Sequence, residues 1–338
     1  MVRDFIPTGI GITTGIGQCA YRCLYCQIAL HEPATFGVDR YAAVIDRFLD
    51  YKEKTGFNFS QWMGYSFDIS AADFFKQIAL CKRCGYDQTS FLLGGVRLMA
   101  DDELKKWYEE RLALGCDYVG ASYFGHSETH DYWNNQPGQF EFQVRAQKTA
   151  LSMGMKVGQR LFLLKSTLPM MEELLDILDE TSGADASRAA FPLFYSGLAR
   201  RYDDERVTLE MLDNQPDRVK AVYRSDKPNW KSEKDWITWI LDGKDAFKPS
   251  FLNLNLSDAN IDEIERMSCQ EIVDDLTLKT KKAYAPIPDT CELADRYGDR
   301  TNEKVYMFLW DMECLWVDRF LEQHPEIRID RELTYFGR

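Results

Sequence analysis

Six continuous apolar runs alternate with amphipathic stretches between about residue 8 and residue 195. Runs without strict polar alternation are typical of strands that are buried on both faces of a parallel sheet. The stretches between them have helical features: Met171 opens an i, i+3, i+4, i+7 apolar stripe, and Ser70 followed by Asp73 marks a helix start. Repeated βα units of this kind predict an α/β fold, either an incomplete barrel or a doubly wound sheet. The predicted strands are GIGIT (9–13), FSQWMGY (59–65), TSFLLGG (89–95), DYVGASYF (117–124), KVGQRLFLL (156–164) and RAAFPLFY (188–195).

The alternation fades after about residue 200, and a polar stretch at 213–235 leads into helix-rich sequence. Within that region, FLNLNL (251–256) predicts a strand that pairs at the edge of the sheet. The amphipathic stretch 302–324 predicts a helix packed across the open end of the domain, with docking of a partner as the alternative. We therefore expect a βα domain over residues 1–200 and a helical extension over residues 201–338 that closes it.

Composition narrows the class of protein. The 338 residues are 45% hydrophobic, with no export signal and no run of eighteen apolar residues, so we predict a cytoplasmic location and no membrane partner. The formal charge of −13 opposes binding to nucleic acid. Nine cysteines in a reducing compartment are expected to be free thiols or metal ligands rather than disulfides.

Three of these cysteines crowd into CAYRCLYC (19–26), a loop that follows the first predicted strand. A structural zinc site usually needs four ligands in two pairs, so Cys19, Cys23 and Cys26 supply one too few. An iron–sulfur cluster suits thiolate ligands, and three of them leave one iron open to an external ligand. The spacing favours such a cluster over zinc or over thiols that merely fill the interior.

CAYRCLYC resembles the CxxxCxΦC signature of the radical S-adenosylmethionine (radical SAM) superfamily, with Tyr25 in the aromatic position. The resemblance covers residues 8 to about 200 and is nearest to the branch of peptide-modifying maturases and molybdopterin-type cyclases. It implies a partial (βα)6 barrel with a helix-rich C-terminal extension. It also implies a [4Fe-4S] cluster on Cys19, Cys23 and Cys26, with S-adenosylmethionine bound to the fourth iron.

The same resemblance assigns contacts to S-adenosylmethionine. Ser122 and Arg160 stand where relatives bind the methionine carboxylate, although a capped strand end and an ion pair would explain both residues. MGYS (63–66) replaces the usual GGEP, so the amino group would be held by Gly64, Tyr65 or Ser66 without the acidic partner. The glycines of LGGV (93–96), after the third strand, are interpreted as turn formers.

Tyr25, Phe191 and Leu193 are the candidates for contact with the adenine ring, with ordinary core packing as the alternative.

Three further residues are candidates for catalysis, although the sequence assigns none of them a definite role. His126 and His130 follow the fourth strand and could transfer protons at the barrel mouth, or simply be turn residues. Cys269 lies in the first turn of a helix that Ser268 and Glu271 predict through a capping box, where its pKa would be lowered. Cys269, Cys291 and Cys314 are too widely spaced to predict a second cluster.

These features predict an enzyme that cleaves S-adenosylmethionine reductively and uses the 5′-deoxyadenosyl radical to take hydrogen from an unactivated carbon of a peptide. A small polar metabolite, sugar or nucleoside is the alternative substrate. The alternative of another class is a non-catalytic iron–sulfur protein for electron transfer or sensing. The expected redox partner is a small reductant protein of the flavodoxin or ferredoxin type.

Overall fold

The computed structural model describes residues 5–15, 19–27, 34–64, 66–183, 186–244 and 250–334. All six predicted strands of the βα region are present, and each begins within one residue and ends within three residues of its expected bounds. The α/β prediction is therefore confirmed. These strands are β1 (Gly9–Thr14), β2 (Asn58–Met63), β3 (Ser90–Leu92), β4 (Tyr118–Tyr123), β5 (Lys156–Leu163) and β6 (Ser187–Pro192).

The parallel strands form two sheets. In the first, β1 lies between β2 and a strand of the C-terminal region, β8 (Phe251–Leu256), and both pairings are parallel. The second sheet has the order β3-β4-β5-β6, also parallel throughout. No ladder of hydrogen bonds joins β2 to β3 among the described residues. Sequential parallel strands joined by helices give the partial barrel that was predicted.

Helices connect each strand of the βα region to the next. The helix after β2 begins where the sequence predicted, because the Ser70 hydroxyl accepts a hydrogen bond from the Asp73 N–H. These helices are α1 (Gly37–Thr55), α2 (Ala71–Arg83), α3 (Asp101–Ala113), α4 (Ser127–Asn134), α5 (Gln139–Ser152) and α6 (Met171–Ser182).

The C-terminal region adds short helices, one further parallel strand and a small antiparallel pair. Segment 302–324 is not one helix: residues 305–306 pair with 231–232, and the helix begins only at Leu309. The remaining elements are α7 (Leu209–Asp213), α8 (Asp217–Tyr223), β7 (Lys231–Ser232), α9 (Glu233–Leu241), α10 (Ile261–Arg266), α11 (Cys269–Tyr284), α12 (Thr290–Tyr297), β9 (Val305–Tyr306) and α13 (Leu309–Gln323).

Each sheet buries one face against helices. Ile10 and Ile12 of β1 pack with Leu252 and Leu254 of β8 in one core, and α13 contributes Trp316 to it. The second core lies between β3–β6 and helices α3, α5 and α6. A small aromatic cluster at the carboxyl ends of β4, β5 and β6 contains Phe124, Trp133, Phe162, Leu164, Leu193 and Ala199.

Helix α13 also contacts the end of β6, where the Tyr195 N–H donates to Asp311 Oδ1 at 2.8 Å. The predicted edge strand FLNLNL is confirmed as β8, so the C-terminal region contributes to the sheet as well as helices. The division of the chain at residue 200 stays a prediction. No helix in the described part of the chain is long and apolar enough to cross a membrane.

Candidate functional site

The cysteine loop is fixed to the carboxyl ends of the strands. The Ala20 N–H donates to the Gly95 carbonyl at 2.9 Å, just beyond β3. The Leu24 N–H donates to the Trp133 carbonyl at 2.9 Å, at the end of α4. Past β6, the N–H of residue 198 donates to the Cys26 carbonyl at 2.8 Å. The loop therefore spans three elements of the rim, where active sites lie in folds of this kind.

The three thiols of the loop lie near enough to influence one another. Burial raises the pKa of Cys19 and raises that of Cys23 to about 12, and a neighbouring thiol adds to each shift. The described residues contain no group of three His, Cys, Asp or Glu side chains arranged around a single metal ion. A four-iron cluster instead takes at most one cysteine thiolate at each iron, so its cysteines are set around a larger centre. Three half-buried thiols on one loop fit such a cluster.

Gly95 keeps space open beside this centre. Its φ is +78°, and a Cβ atom at this position would be 2.7 Å from Cys19 Sγ and 3.3 Å from Ser66 Oγ. Only glycine satisfies both the positive φ and the close approach of the sulfur. The turn-forming interpretation of LGGV is confirmed by the positive φ. The contact with Cys19 was missed, because nothing local in the sequence indicates which loop meets this turn.

Tyr25 is held among aromatic rings. Its ring stacks on Phe124 with centroids 3.6 Å apart and an angle of 18° between planes. Its hydroxyl donates to Asn134 Oδ1 at 2.8 Å, and the Cys23 Sγ lies 3.6 Å from the same oxygen. Asn134, for which no sequence pattern indicated a role, thus touches both a cysteine ligand candidate and the aromatic residue of the motif. Contact of Tyr25 with adenine stays a prediction.

Ser122 and Arg160 face each other across β4 and β5 in the same register. Neighbours at odd positions, such as Tyr123 and Leu161, pack against the helices, so Ser122 and Arg160 belong to the opposite face. Arg160 is exposed and forms no hydrogen bond or ion pair with a described residue. The structure therefore brings together the two residues expected at the methionine carboxylate, and that role stays a prediction.

The residues expected at the amino group lie where β2 ends. Gly64 has a φ of +99° and donates its N–H to the Thr14 carbonyl at 3.0 Å. Ser66 is buried, and its hydroxyl accepts from the Asp68 N–H at 3.1 Å. Tyr65 lies outside the described residues. Of the adenine candidates on β6, Phe191 lies 6.3 Å from Phe162 between ring centroids.

Leu193, the other candidate for contact with the adenine ring, is fully buried in the aromatic cluster.

The two histidines of the α4 region differ in environment. His130 is fully buried, accepts the Phe124 N–H at Nδ1 and contacts Gln139 through Nε2, and burial lowers its pKa to about 4. His126 is partly exposed and lies 3.3 Å from Glu173 Oε2. His130 is thus neutral and embedded at neutral pH, whereas the side chain of His126 is 16% exposed.

The predicted capping box is present, since the Ser268 hydroxyl accepts the Glu271 N–H and the Glu271 carboxylate accepts the Ser268 N–H. The expected fall in the pKa of Cys269 is wrong, because burial raises it more than Arg47 lowers it. Cys314 is buried and Cys291 is exposed. Among the described residues, neither belongs to a group of three His, Cys, Asp or Glu side chains that could hold a metal ion.

No family model matches the chain. The curated protein Fe-coproporphyrin III synthase of Methanosarcina barkeri is 29% identical over 113 residues. That match covers 33% of this chain and 27% of the relative, so the chain matches about a quarter of the relative's length.

Solved structures of low similarity cover most of the chain. The enzyme anSMEcpe with bound AdoMet and a Cp18Cys peptide is 13% identical, has a TM-score of 0.46 and covers 95% of this chain and 98% of its own. Coproporphyrinogen III oxidase (HemN) from Escherichia coli, a radical SAM enzyme, is 10% identical, has a TM-score of 0.44 and covers 92% and 90%. The chain is thus similar to the synthase over a third of its length, and it carries a CxxxCxΦC motif that resembles the radical SAM signature.

Proposed function

We propose that this protein is a radical SAM enzyme that acts on a peptide. In this proposal Cys19, Cys23 and Cys26 hold a [4Fe-4S] cluster, and S-adenosylmethionine binds to the iron that has no cysteine. When bound, the cluster supplies the electron that cleaves S-adenosylmethionine into methionine and a 5′-deoxyadenosyl radical, which takes hydrogen from an unactivated carbon. The observation that carries the proposal is the loop of three neighbouring thiols fixed across the strand ends.

The surroundings of the loop fit a bulky inorganic centre. Gly95 removes a side chain from the point where Cys19 lies nearest to the β3 turn. Burial raises the pKa of the Cys19 and Cys23 thiols, so metal binding must displace the protons of these two. Cluster assembly is therefore expected to be easier as the pH rises.

Arg160 is the best candidate for holding the methionine carboxylate. Its planar fork of donors matches a carboxylate, and among the described residues no acidic side chain already occupies it. The Ser122 hydroxyl stands next to it across the strand pair and supplies a further donor. Together the two side chains would orient S-adenosylmethionine through its carboxylate.

The side chains on the inward face of the first sheet favour an uncharged substrate that forms hydrogen bonds. In β8 the leucines pack into the core, so Asn253 and Asn255 belong to the opposite face. Asn253 Oδ1 is 3.9 Å and Ser60 Oγ is 3.6 Å from the point where a Cβ of Gly11 would lie. Amides and hydroxyls arranged along strands suit the backbone of a peptide, which carries one donor and one acceptor at most residues.

The sequence match favours a second candidate substrate. The relative matched over 113 residues is an Fe-coproporphyrin III synthase, which raises a porphyrin-type molecule as an alternative to a peptide. Such a substrate carries carboxylates and would compete for Arg160, the cation on the inward face of β5. The reductant is proposed to be a small flavodoxin- or ferredoxin-type protein in either case.

The function is tested by reconstituting the cluster without oxygen, adding dithionite and S-adenosylmethionine, and measuring 5′-deoxyadenosine. The wild-type protein is expected to form it, and the Cys26→Ala variant is expected to form none. A fully loaded wild-type cluster without product would refute the enzyme and favour the electron-transfer or sensor alternative. A short peptide encoded next to the gene and Fe-coproporphyrin III then serve as the two substrate arms, and the one that accelerates product formation identifies the class.

A further inference from the structure

The ring of Tyr25 is locked in place by its neighbours. Phe124 stacks on it at 3.6 Å, and Phe162 lies 6.2 Å away at an angle of 26°. Phe124 and Phe162 in turn stack on each other at 4.3 Å with nearly parallel planes. Because the ring is fixed by this stack, the position of its hydroxyl is determined before any cofactor binds.

That hydroxyl lies beside Asn134 and Cys23. It donates to Asn134 Oδ1 at 2.8 Å, and the Cys23 Sγ lies 3.6 Å from the same oxygen. A phenol is protonated at neutral pH, so Tyr25 is a donor that meets an amide oxygen with a sulfur next to it.

Asn134 cannot replace Tyr25 as a donor to the sulfur. Its Nδ2 donates to the His130 carbonyl at 2.9 Å, and the side chain is buried. Rotating the amide by half a turn would place two oxygens against each other at that carbonyl. The fixed orientation therefore points Oδ1 at Cys23, with 3.6 Å between oxygen and sulfur.

Binding of iron changes which bond is possible. The Cys23 thiol can donate its own proton to Asn134 Oδ1, but an iron-bound thiolate has no proton and only accepts. Sulfur and Oδ1 are then both acceptors, and the Tyr25 O–H is the donor that faces them. The hydrogen bond from the Tyr25 O–H to the charged sulfur is the more favourable of the two, because hydrogen bonds to charged groups are the stronger ones.

Building on the proposed function, we propose that Tyr25 is a positioning residue that donates a hydrogen bond to the iron-bound sulfur of Cys23 and thereby raises the reduction potential of the cluster. Reduction adds negative charge to the cluster and its ligands, and a hydrogen bond to a ligand sulfur stabilises that charge. Asn134 sets the strength of the effect by competing for the same proton.

The test measures the midpoint potential of the reconstituted cluster by a redox titration followed by electron paramagnetic resonance. Tyr25→Phe keeps the ring stack and removes only the hydroxyl, so its potential is expected to be more negative than that of the wild type. Tyr21→Phe is the matched control: it removes a hydroxyl of the same loop that bonds the Val96 carbonyl instead of a sulfur, and its potential is expected to stay unchanged. Asn134→Ala removes the competing acceptor and is expected to shift the potential in the positive direction.

An unchanged potential in Tyr25→Phe, or the same shift in Tyr21→Phe, would overturn the inference while leaving the proposed function intact. If Tyr25→Phe fails to load iron, Asn134→Ala decides: a positive shift supports a tyrosine donor, and a zero or negative shift excludes it. A wild-type protein that binds no cluster would refute both the inference and the function.

Discussion

Replacing Gly95 with alanine tests whether the turn after β3 is shaped by the cluster loop. The positive φ of +78° costs an alanine about 1–2 kcal/mol of folding stability. The added Cβ would lie 2.7 Å from Cys19 Sγ, whereas non-bonded atoms settle at about 3.5–4.0 Å. Cys19 must therefore move by about 1 Å, several times the roughly 0.2 Å by which metal–ligand distances vary. Gly95→Ala is expected to lose cluster as well as stability.

Two other glycines of the chain serve as controls, because they separate the cost of the positive φ from the cost of the contact with Cys19. Gly115 has a φ of +84° and open space around its Cβ position, so Gly115→Ala carries the strain alone. Gly94 has neither a positive φ nor a neighbour within 4 Å, so Gly94→Ala carries neither effect. The three variants are therefore expected to differ in stability and in iron content.

The assay combines urea unfolding of the metal-free protein with iron analysis after reconstitution. Gly95→Ala and Gly115→Ala are both expected to be destabilised by about 1–2 kcal/mol, while only Gly95→Ala binds markedly less iron. Gly94→Ala should match the wild type in both measurements. If the Gly95→Ala protein binds a full complement of iron, the loop does not depend on the open space beside Cys19.

Two further predictions concern Arg160 and His130. Arg160→Leu is expected to weaken S-adenosylmethionine binding by about 10- to 100-fold, corresponding to about 1.5–3 kcal/mol for lost hydrogen bonds to a charged group, and an unchanged Kd in equilibrium dialysis would contradict this. Burial lowers the pKa of His130 to about 4, so its contribution to stability is complete above about pH 6.5 and falls by about 3 kcal/mol as the pH drops towards 4. His130→Gln should lack this loss in urea unfolding at each pH, and a variant that keeps the wild-type fall in stability towards pH 4 would show that His130 is not its source.

The strands of the βα region were predictable because each has a local signature. Continuous apolar runs identified β1 to β6, and the Ser70 start of α2 and the Ser268 capping box are interactions between residues close in sequence. The start of α13 was placed too early, at 302 instead of 309. Residues 305–306 pair with 231–232, and a pairing over such a separation leaves no local pattern.

The features of the site that could not be predicted from the sequence depend on tertiary contacts. The motif identified Cys19, Cys23 and Cys26, but Gly95 and Asn134 meet the loop only through the tertiary fold. The expected low pKa of Cys269 had a sound local cause in the helix start, yet burial among core side chains outweighs it. Charge states inside a protein depend on neighbours from several elements.

We propose that three cysteines hold a four-iron cluster with one iron open to S-adenosylmethionine. The most direct test is the electron paramagnetic resonance spectrum of the reconstituted, dithionite-reduced protein before and after S-adenosylmethionine is added. We expect a [4Fe-4S] signal that changes on addition in the wild type and is lost in Cys26→Ala. A four-iron signal that S-adenosylmethionine leaves unaltered, or one that survives in Cys26→Ala, would show that the three cysteines do not form this site.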